Sequence, residues 1–165
     1  MKLTDIDYFN NCKELQNKYG VPLKPYMTIS KNGKWRKTSG ISRVKEGLYI
    51  HHIKEWDFPL LSTVETAQNY SFEYQEPQNL CYCNLLEHLA LHFMIEENKN
   101  RDDTNDNWGS AVVYAQIMTS NNREYMYFAD QIKIEYQMTG VFDERYWLKW
   151  EDINYRWYQK FQRSK

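Results

Sequence analysis

The chain has 165 residues with a formal net charge of −1, and aromatic residues make up 16% of it. That length suits one domain able to bury a core without disulfides, and the aromatic content argues against a disordered chain. The balanced charge argues against a general nucleic-acid binder, and no apolar stretch approaches the roughly 20 residues that cross a bilayer. Three cysteines, an odd number, and the lack of an apolar N-terminal segment predict a reducing, cytoplasmic setting away from membranes.

A helix is the first predicted element, within an N-terminal extension over residues 1–22. Thr4 and Asp7 have the spacing of a capping pair at its start, and Gly20 indicates its end. We expect one face of this helix to be buried. The apolar residues that share this face at helical spacing are Tyr8, Cys12, Leu15 and Tyr19.

A basic segment follows the helix. Residues 25–46 are rich in Gly, Ser, Lys and Asn, and the Asn32-Gly33 pair predicts a hairpin or an irregular loop there. From Lys24 to Lys45 the chain carries seven basic residues and no acid. Such a stripe can hold a phosphodiester backbone, although a solvated loop can have the same composition. The candidate nucleic-acid contacts are Lys34, Arg36, Lys37, Arg43 and Lys45.

Two short strands are predicted next, separated by a long insertion. The alternation over residues 47–53 indicates a strand that carries the adjacent pair His51 and His52. The insertion contains a short helix near residues 62–67. Residues 79–83 indicate the second strand.

The second strand leads into a helix predicted from about residue 84 to about residue 97. His88 and His92 lie one turn apart on the same face of this helix, so that both rings can coordinate one ion. Together with His51 and His52 they are the only histidines, and all four fall within 42 residues. Histidine serves both as a neutral metal ligand and as a base near neutral pH. The pattern therefore predicts a metal site with a catalytic base.

The remainder is predicted to be a helical extension over residues 109–165. Its helices are expected over about 109–119, 123–138 and 143–161. The last of them interleaves aromatic with basic residues, which is typical of a stacking platform for single-stranded nucleic acid and also of a helix packed on the domain. The helical spacing of its aromatic residues favours packing.

These motifs resemble the HNH nucleases, also called His-Me finger or ββα-metal nucleases. The resemblance covers Gly47 to about Ile95, under a third of the chain, and includes Asn79-Leu80 at the start of the second strand. It implies an α+β, helix-rich single domain over 1–165, with a central ββα-metal finger at about 47–97. The chain lacks the two Cys-x-x-Cys pairs that bind structural zinc in many members, and its loop before the asparagine is longer than in compact members.

The resemblance also implies a role for each motif residue. His51, His88 and His92 would hold one divalent metal ion, which could be Mg, Mn, Zn or Ni. His52 would be the general base that takes a proton from the attacking water, and Asn79 would brace the finger so that this ring is oriented. The implied activity is the hydrolysis of DNA, leaving 5′-phosphate and 3′-hydroxyl ends.

Two other functions stay open at this point. A catalytically silent nuclease-like protein of a phage or mobile element would keep the finger as a zinc-stabilised scaffold and bind or inhibit another protein. The near-neutral charge favours this alternative, whereas the His51-His52 pair disfavours it because a scaffold needs no base. An RNA-cleaving nuclease is the other alternative, with DNA the favoured substrate.

Overall fold

The computed structural model describes residues 5–98 and 109–120, together with residues 122, 123, 126, 127 and 129. The chain divides into two compact units, the first ending at Asn84 and the second starting at Leu85. Within the described residues, α-helices are mixed with two small antiparallel sheets, as expected for the α+β class.

Part of the predicted C-terminal extension lies outside the described residues. The helix predicted over 123–138 lies mostly outside the described residues, and the aromatic helix predicted over 143–161 lies wholly outside them. The prediction of a single domain over 1–165 stays a prediction.

The first helix, α1, spans Asp5–Tyr19 and confirms the predicted element. It ends because Gly20 adopts a φ of 78°, a left-handed conformation that glycine takes without steric cost, and the Gly20 N–H bonds to the carbonyl of Gln16. Tyr8, Cys12 and Leu15 of the predicted apolar face are buried.

A hairpin follows, formed by the antiparallel strands β1 (Met27–Ile29) and β2 (Trp35–Lys37). Its turn is closed by a bond from the Ser30 N–H to the carbonyl of Lys34, and Gly33 within the turn has a φ of 74°. Of the two forms predicted around Asn32-Gly33, a hairpin or an irregular loop, the structure has the hairpin.

The second sheet pairs β3 (Tyr49–His52) with β4 (Leu80–Cys83) in antiparallel register, with His51 opposite Cys81. Every residue of β4 is buried, which explains why its sequence lacks the alternation of a half-exposed strand. Helix α1 packs against β4 within the first unit. The two strands predicted around the histidine pair are therefore confirmed.

The insertion between β3 and β4 is a succession of short helical turns. One is the α-helix α2 (Val64–Ala67), close to the predicted position. The others are 3₁₀ turns at Ile53–Trp56, Phe72–Gln75 and Pro77–Asn79. Within these turns, many backbone N–H groups of the insertion bond to carbonyls three or four residues earlier. The segment can therefore be buried without leaving these donors unsatisfied.

The second unit contains α3 (Leu85–Asn98) and α4 (Gly109–Thr119), which pack against each other. Both helices agree with their predicted bounds to within a residue. Since the strand pair lies in the first unit and α3 in the second, the ββα-metal finger as a whole stays a prediction. Across the part of the chain that is described, no helix has the length and apolar character needed to cross a membrane.

Candidate functional site

The two histidines of α3 face each other across one helical turn. Their Nε2 atoms are 3.1 Å apart, and the ring centroids are 4.8 Å apart. Burial lowers the pKa of His88 from 6.5 to about 4, and burial followed by the neighbouring His88 lowers the pKa of His92 well below its usual value. Both rings are therefore neutral at pH 7, which is the form that donates a nitrogen lone pair to a metal ion.

The first turn of α4 supports His92 from the side. Gly109 lies so close that a Cβ atom on it would come within 2.1 Å of His92 Nδ1. The next residue, Ser110, donates from its backbone N–H and its hydroxyl to the carboxyl group of Glu96, at 3.2 and 2.8 Å. Burial raises the pKa of Glu96 to about 7, against the opposing effect of these two bonds. Helices α3 and α4 are thus joined beside His92.

In the first unit, His51 is held by a tyrosine of α1. The Tyr8 hydroxyl lies 2.7 Å from His51 Nε2 and donates to the carbonyl of Ile53 at 3.0 Å. Burial raises the pKa of Tyr8 well above 10, so the hydroxyl keeps its single proton. Because that proton goes to Ile53, His51 Nε2 must be the donor to Tyr8. The lone pair of His51 then lies on Nδ1, which is 3.9 Å from Oε2 of Glu55.

The ring of His52 points to the opposite face of β3, as alternation along a strand dictates. Its Nε2 lies 3.1 Å from Oε1 of Gln75, and the ring of Tyr26 meets it edge-on with centroids 4.5 Å apart. Like His51, His52 is only 1% exposed. The predicted base is therefore a buried ring with a hydrogen-bonded partner.

Asn79, the predicted brace, ends the last 3₁₀ turn before β4. Its Nδ2 donates to the carbonyl of Glu73 at 2.8 Å, which closes the segment that carries Gln75. The bracing role stays a prediction. Asn79 would act on His52 indirectly, by holding the turn that carries Gln75, whose side chain contacts His52.

The candidate nucleic-acid contacts differ in their surroundings. Arg43 makes a two-point ion pair with Glu46 and donates to the carbonyl of Tyr19 at 2.7 Å, so its charge is already matched. Lys45 is exposed on the 3₁₀ turn Val44–Glu46, which follows Arg43. Three more are exposed on the hairpin: Lys34, Arg36 and Lys37.

Several residues that shape the site had no signal in the sequence. Gln75 lies in the insertion, where one glutamine among aromatic residues forms no pattern. Gly109 was expected only as the start of a helix, and Glu96 only as part of one. Tyr8 was expected in a buried face, but its hydroxyl contact with His51 joins residues 43 positions apart and follows no local rule.

Within the second unit, His88 and His92 are placed to share a metal ion, and the participation of His51 as a third ligand stays a prediction. Comparison with known proteins adds nothing to this: no family model, curated protein or solved structure matches the chain. The resemblance to HNH nucleases therefore rests on the residues alone.

Proposed function

We propose that this protein binds one divalent metal ion and hydrolyses phosphodiester bonds of DNA as an HNH-type endonuclease. The observation that carries the proposal is the neutral pair on α3, His88 and His92, with Nε2 atoms facing each other at 3.1 Å. Rings that stay uncharged at pH 7 do not repel a cation, and two of them one helical turn apart can share it.

His51 is the third ligand in this proposal. Its bond from Nε2 to Tyr8 leaves the lone pair on Nδ1, and metal-bound histidines commonly donate their other ring N–H in this way. A donor set of three imidazoles fits Zn²⁺ or Ni²⁺ better than Mg²⁺, because Mg²⁺ prefers oxygen ligands. The residues present therefore fit a borderline transition metal.

The reaction divides between the ion and His52. When bound, the ion would stabilise the negative charge that develops on the scissile phosphate and on the leaving 3′ oxygen. His52 accepts a proton from water, and the water oxygen bonds to phosphorus. The bond between phosphorus and the 3′ oxygen breaks, and that oxygen takes a proton from solvent. Since His52 is 1% exposed, the attacking water must reach a buried ring.

The hairpin is the proposed binding surface for the phosphate backbone. Lys34, Arg36 and Lys37 are exposed on it, and an exposed cation can neutralise a phosphate and release the counterions held there. Arg43 and Lys45 stay predicted contacts, with Arg43 the weaker candidate because Glu46 already pairs with it.

One observation favours a second candidate function. His51, His52 and Glu55 are all buried, and His52 is engaged by Gln75. A metal-stabilised scaffold that acts by contacting another protein needs no solvent access to these groups. The second candidate is therefore a catalytically silent binding or inhibitor protein that keeps the metal site.

A comparison of two alanine variants tests the proposal. Wild type, His52→Ala and His88→Ala are incubated with plasmid DNA and with a structured RNA in Zn²⁺, Ni²⁺, Mn²⁺ or Mg²⁺, and the binding of each ion is measured by calorimetry. We expect both variants to lose DNA cleavage, and only His88→Ala to lose Zn²⁺ affinity. Because all three proteins are purified identically, a contaminating nuclease would appear equally in each.

The other outcomes separate the alternatives. Wild type that binds Zn²⁺ and cleaves neither substrate supports the silent binding protein, whereas cleavage of RNA alone supports an RNA-directed nuclease. Wild type that binds none of the four ions contradicts the metal site itself.

A further inference from the structure

Gln75 is a fully buried polar side chain in the insertion, 0% exposed, at the end of the 3₁₀ turn Phe72–Gln75. Its amide makes two hydrogen bonds inside the first unit. Nε2 donates to the carbonyl of Leu61 at 3.0 Å, and Oε1 lies 3.1 Å from His52 Nε2. A glutamine amide is costly to bury unless its donors and acceptor are used, so this arrangement is strongly oriented.

The direction of each bond follows from the chemistry of the partners. The carbonyl of Leu61 can only accept, so the amino end of Gln75 must face it and the oxygen must face His52. An amide oxygen can only accept as well, so His52 Nε2 must carry a hydrogen. In the neutral ring the lone pair is then on Nδ1.

We propose that Gln75 is the positioning residue of His52, holding the ring as the Nε2–H form so that Nδ1 is the atom that takes the proton from water. The assignment rests on the proposed function for the identity of the base. The tautomer itself rests only on the contacts of Gln75 with Leu61 and His52.

The backbone of Gln75 contributes to the same arrangement. Its carbonyl accepts the N–H of Tyr26 at 2.8 Å, and the ring of Tyr26 packs edge-on against the ring of His52. Asn79 closes the segment through the carbonyl of Glu73. Gln75 therefore contributes twice to the orientation of the His52 ring. Its side chain bonds to Nε2, and its backbone carbonyl holds Tyr26, whose ring makes the edge-on contact.

The test measures the ¹⁵N chemical shifts of the His52 ring by NMR in Zn²⁺-loaded protein labelled with ¹⁵N-histidine. The signals of His52 are identified as those that are absent from the spectrum of His52→Ala. We expect wild type to show a protonated Nε2 and an unprotonated Nδ1. In Gln75→Leu we expect this preference to be lost, with kcat for plasmid cleavage lowered about 10- to 100-fold and KM little changed. Gln75→Glu places a carboxylate against Nε2 of His52 and is expected to give a ring with hydrogens on both nitrogens, so that Nδ1 also becomes protonated.

Gln16→Leu is the matched control. Gln16 is also a bridging amide of the first unit, donating from Nε2 to the carbonyls of Gln78 and Leu80 at 3.2 and 2.8 Å. We expect its replacement to lower stability while leaving the His52 signature and kcat as in wild type.

The results distinguish this inference from the proposed function. A protonated Nδ1 in wild type overturns the inference, and so does a folded Gln75→Leu protein with an unchanged signature. If Gln75→Leu does not fold, the spectra of wild type and Gln75→Glu still decide.

If His52→Ala cleaves DNA like wild type, the proposed function fails while the tautomer is judged separately from the spectra. If His52→Ala is inactive and folded Gln75→Leu keeps full kcat, the nuclease survives and Gln75 loses its positioning role.

Discussion

Gly109 lies against the ring of His92 with no room for a side chain. A Cβ atom at position 109 would be 2.1 Å from His92 Nδ1 and 2.5 Å from Cε1, both far inside van der Waals contact. The contact joins the start of α4 to a proposed metal ligand on α3. The absence of a side chain at position 109 is therefore a condition for the observed orientation of the His92 ring.

Replacing Gly109 with alanine is expected to displace the His92 ring and weaken Zn²⁺ binding about 10- to 100-fold. Because the added methyl group overpacks a buried ring, we also expect the free energy of unfolding to fall by about 1–3 kcal/mol, which urea denaturation of the metal-free protein measures separately. Calorimetric titration with Zn²⁺ measures the effect. The control is Ser110→Ala, which removes the hydroxyl bond to Glu96 and adds no atom against the ring. Unchanged Zn²⁺ affinity in Gly109→Ala would show that His92 is not a ligand.

Tyr8→Phe is expected to weaken Zn²⁺ binding about tenfold, because His51 loses the partner that holds its Nε2. The variant also leaves the Ile53 carbonyl without this donor, which should lower the free energy of unfolding by about 1–2 kcal/mol. Urea denaturation and Zn²⁺ titration give the two numbers.

Tyr82→Phe is the matched control for that variant. Tyr82 is likewise buried, and its hydroxyl donates to the carbonyl of Ile41 at 2.6 Å. We expect a similar loss of stability and an unchanged Zn²⁺ affinity. Equal losses of affinity in both variants would mean that the effect of Tyr8 is general destabilisation and not ligand support.

Glu96 predicts a specific pH dependence of stability. Its pKa is about 7 in the folded protein against 4.5 normally, so the folded state binds this proton more tightly than the unfolded state. The resulting stabilisation is fully present below about pH 4.5 and is lost as the pH rises to about 7. The difference in pKa corresponds to at most roughly 3–4 kcal/mol.

Comparison of wild type with Glu96→Gln isolates this effect, because the amide does not titrate and His88 and His92 are common to both proteins. The free energy of unfolding is measured with urea at several pH values from 4.5 to 7.5. We expect the wild type to lose stability relative to Glu96→Gln across this range. Parallel pH profiles would contradict the raised pKa.

Neutralising the hairpin is expected to weaken DNA binding in a salt-dependent way. If Lys34, Arg36 and Lys37 each contact a phosphate, changing all three to glutamine should lower the slope of log affinity against log salt by about 2 to 3. Fluorescence anisotropy with a labelled duplex over a range of KCl concentrations measures the slope. A control on the same unit and outside the basic stripe is the double variant Lys13→Gln and Lys18→Gln on α1, with the change in slope compared per charge removed. The same loss of slope per charge in both variants would assign the effect to net charge.

The local elements were predictable because short-range rules decide them. The apolar spacing of α1 and the glycine at its end determine its bounds, and Asn32-Gly33 determines the hairpin turn. The spacing of His88 and His92 determines that their rings lie on one face of α3. These features depend on contacts between residues no more than a few positions apart.

The contacts of the site were not predictable in this way. His52 meets Gln75 across 23 positions, His51 meets Tyr8 across 43, and a Cβ at Gly109 would strike His92 across 17. Nor does the sequence indicate that Arg43 is paired with Glu46 and the carbonyl of Tyr19, which separates it from the exposed basic residues of the hairpin.

The order of residues is enough to predict which side chains can do chemistry and which of them share a face, because helical and strand periodicity are properties of the local backbone. The protonation and tautomer of those side chains depend on tertiary contacts. Burial, which makes His88 and His92 neutral, and the hydrogen bonds that select the tautomers of His51 and His52 come from segments distant in the chain. Protonation and tautomer depend on the surroundings of a ring, and packing alone creates those surroundings.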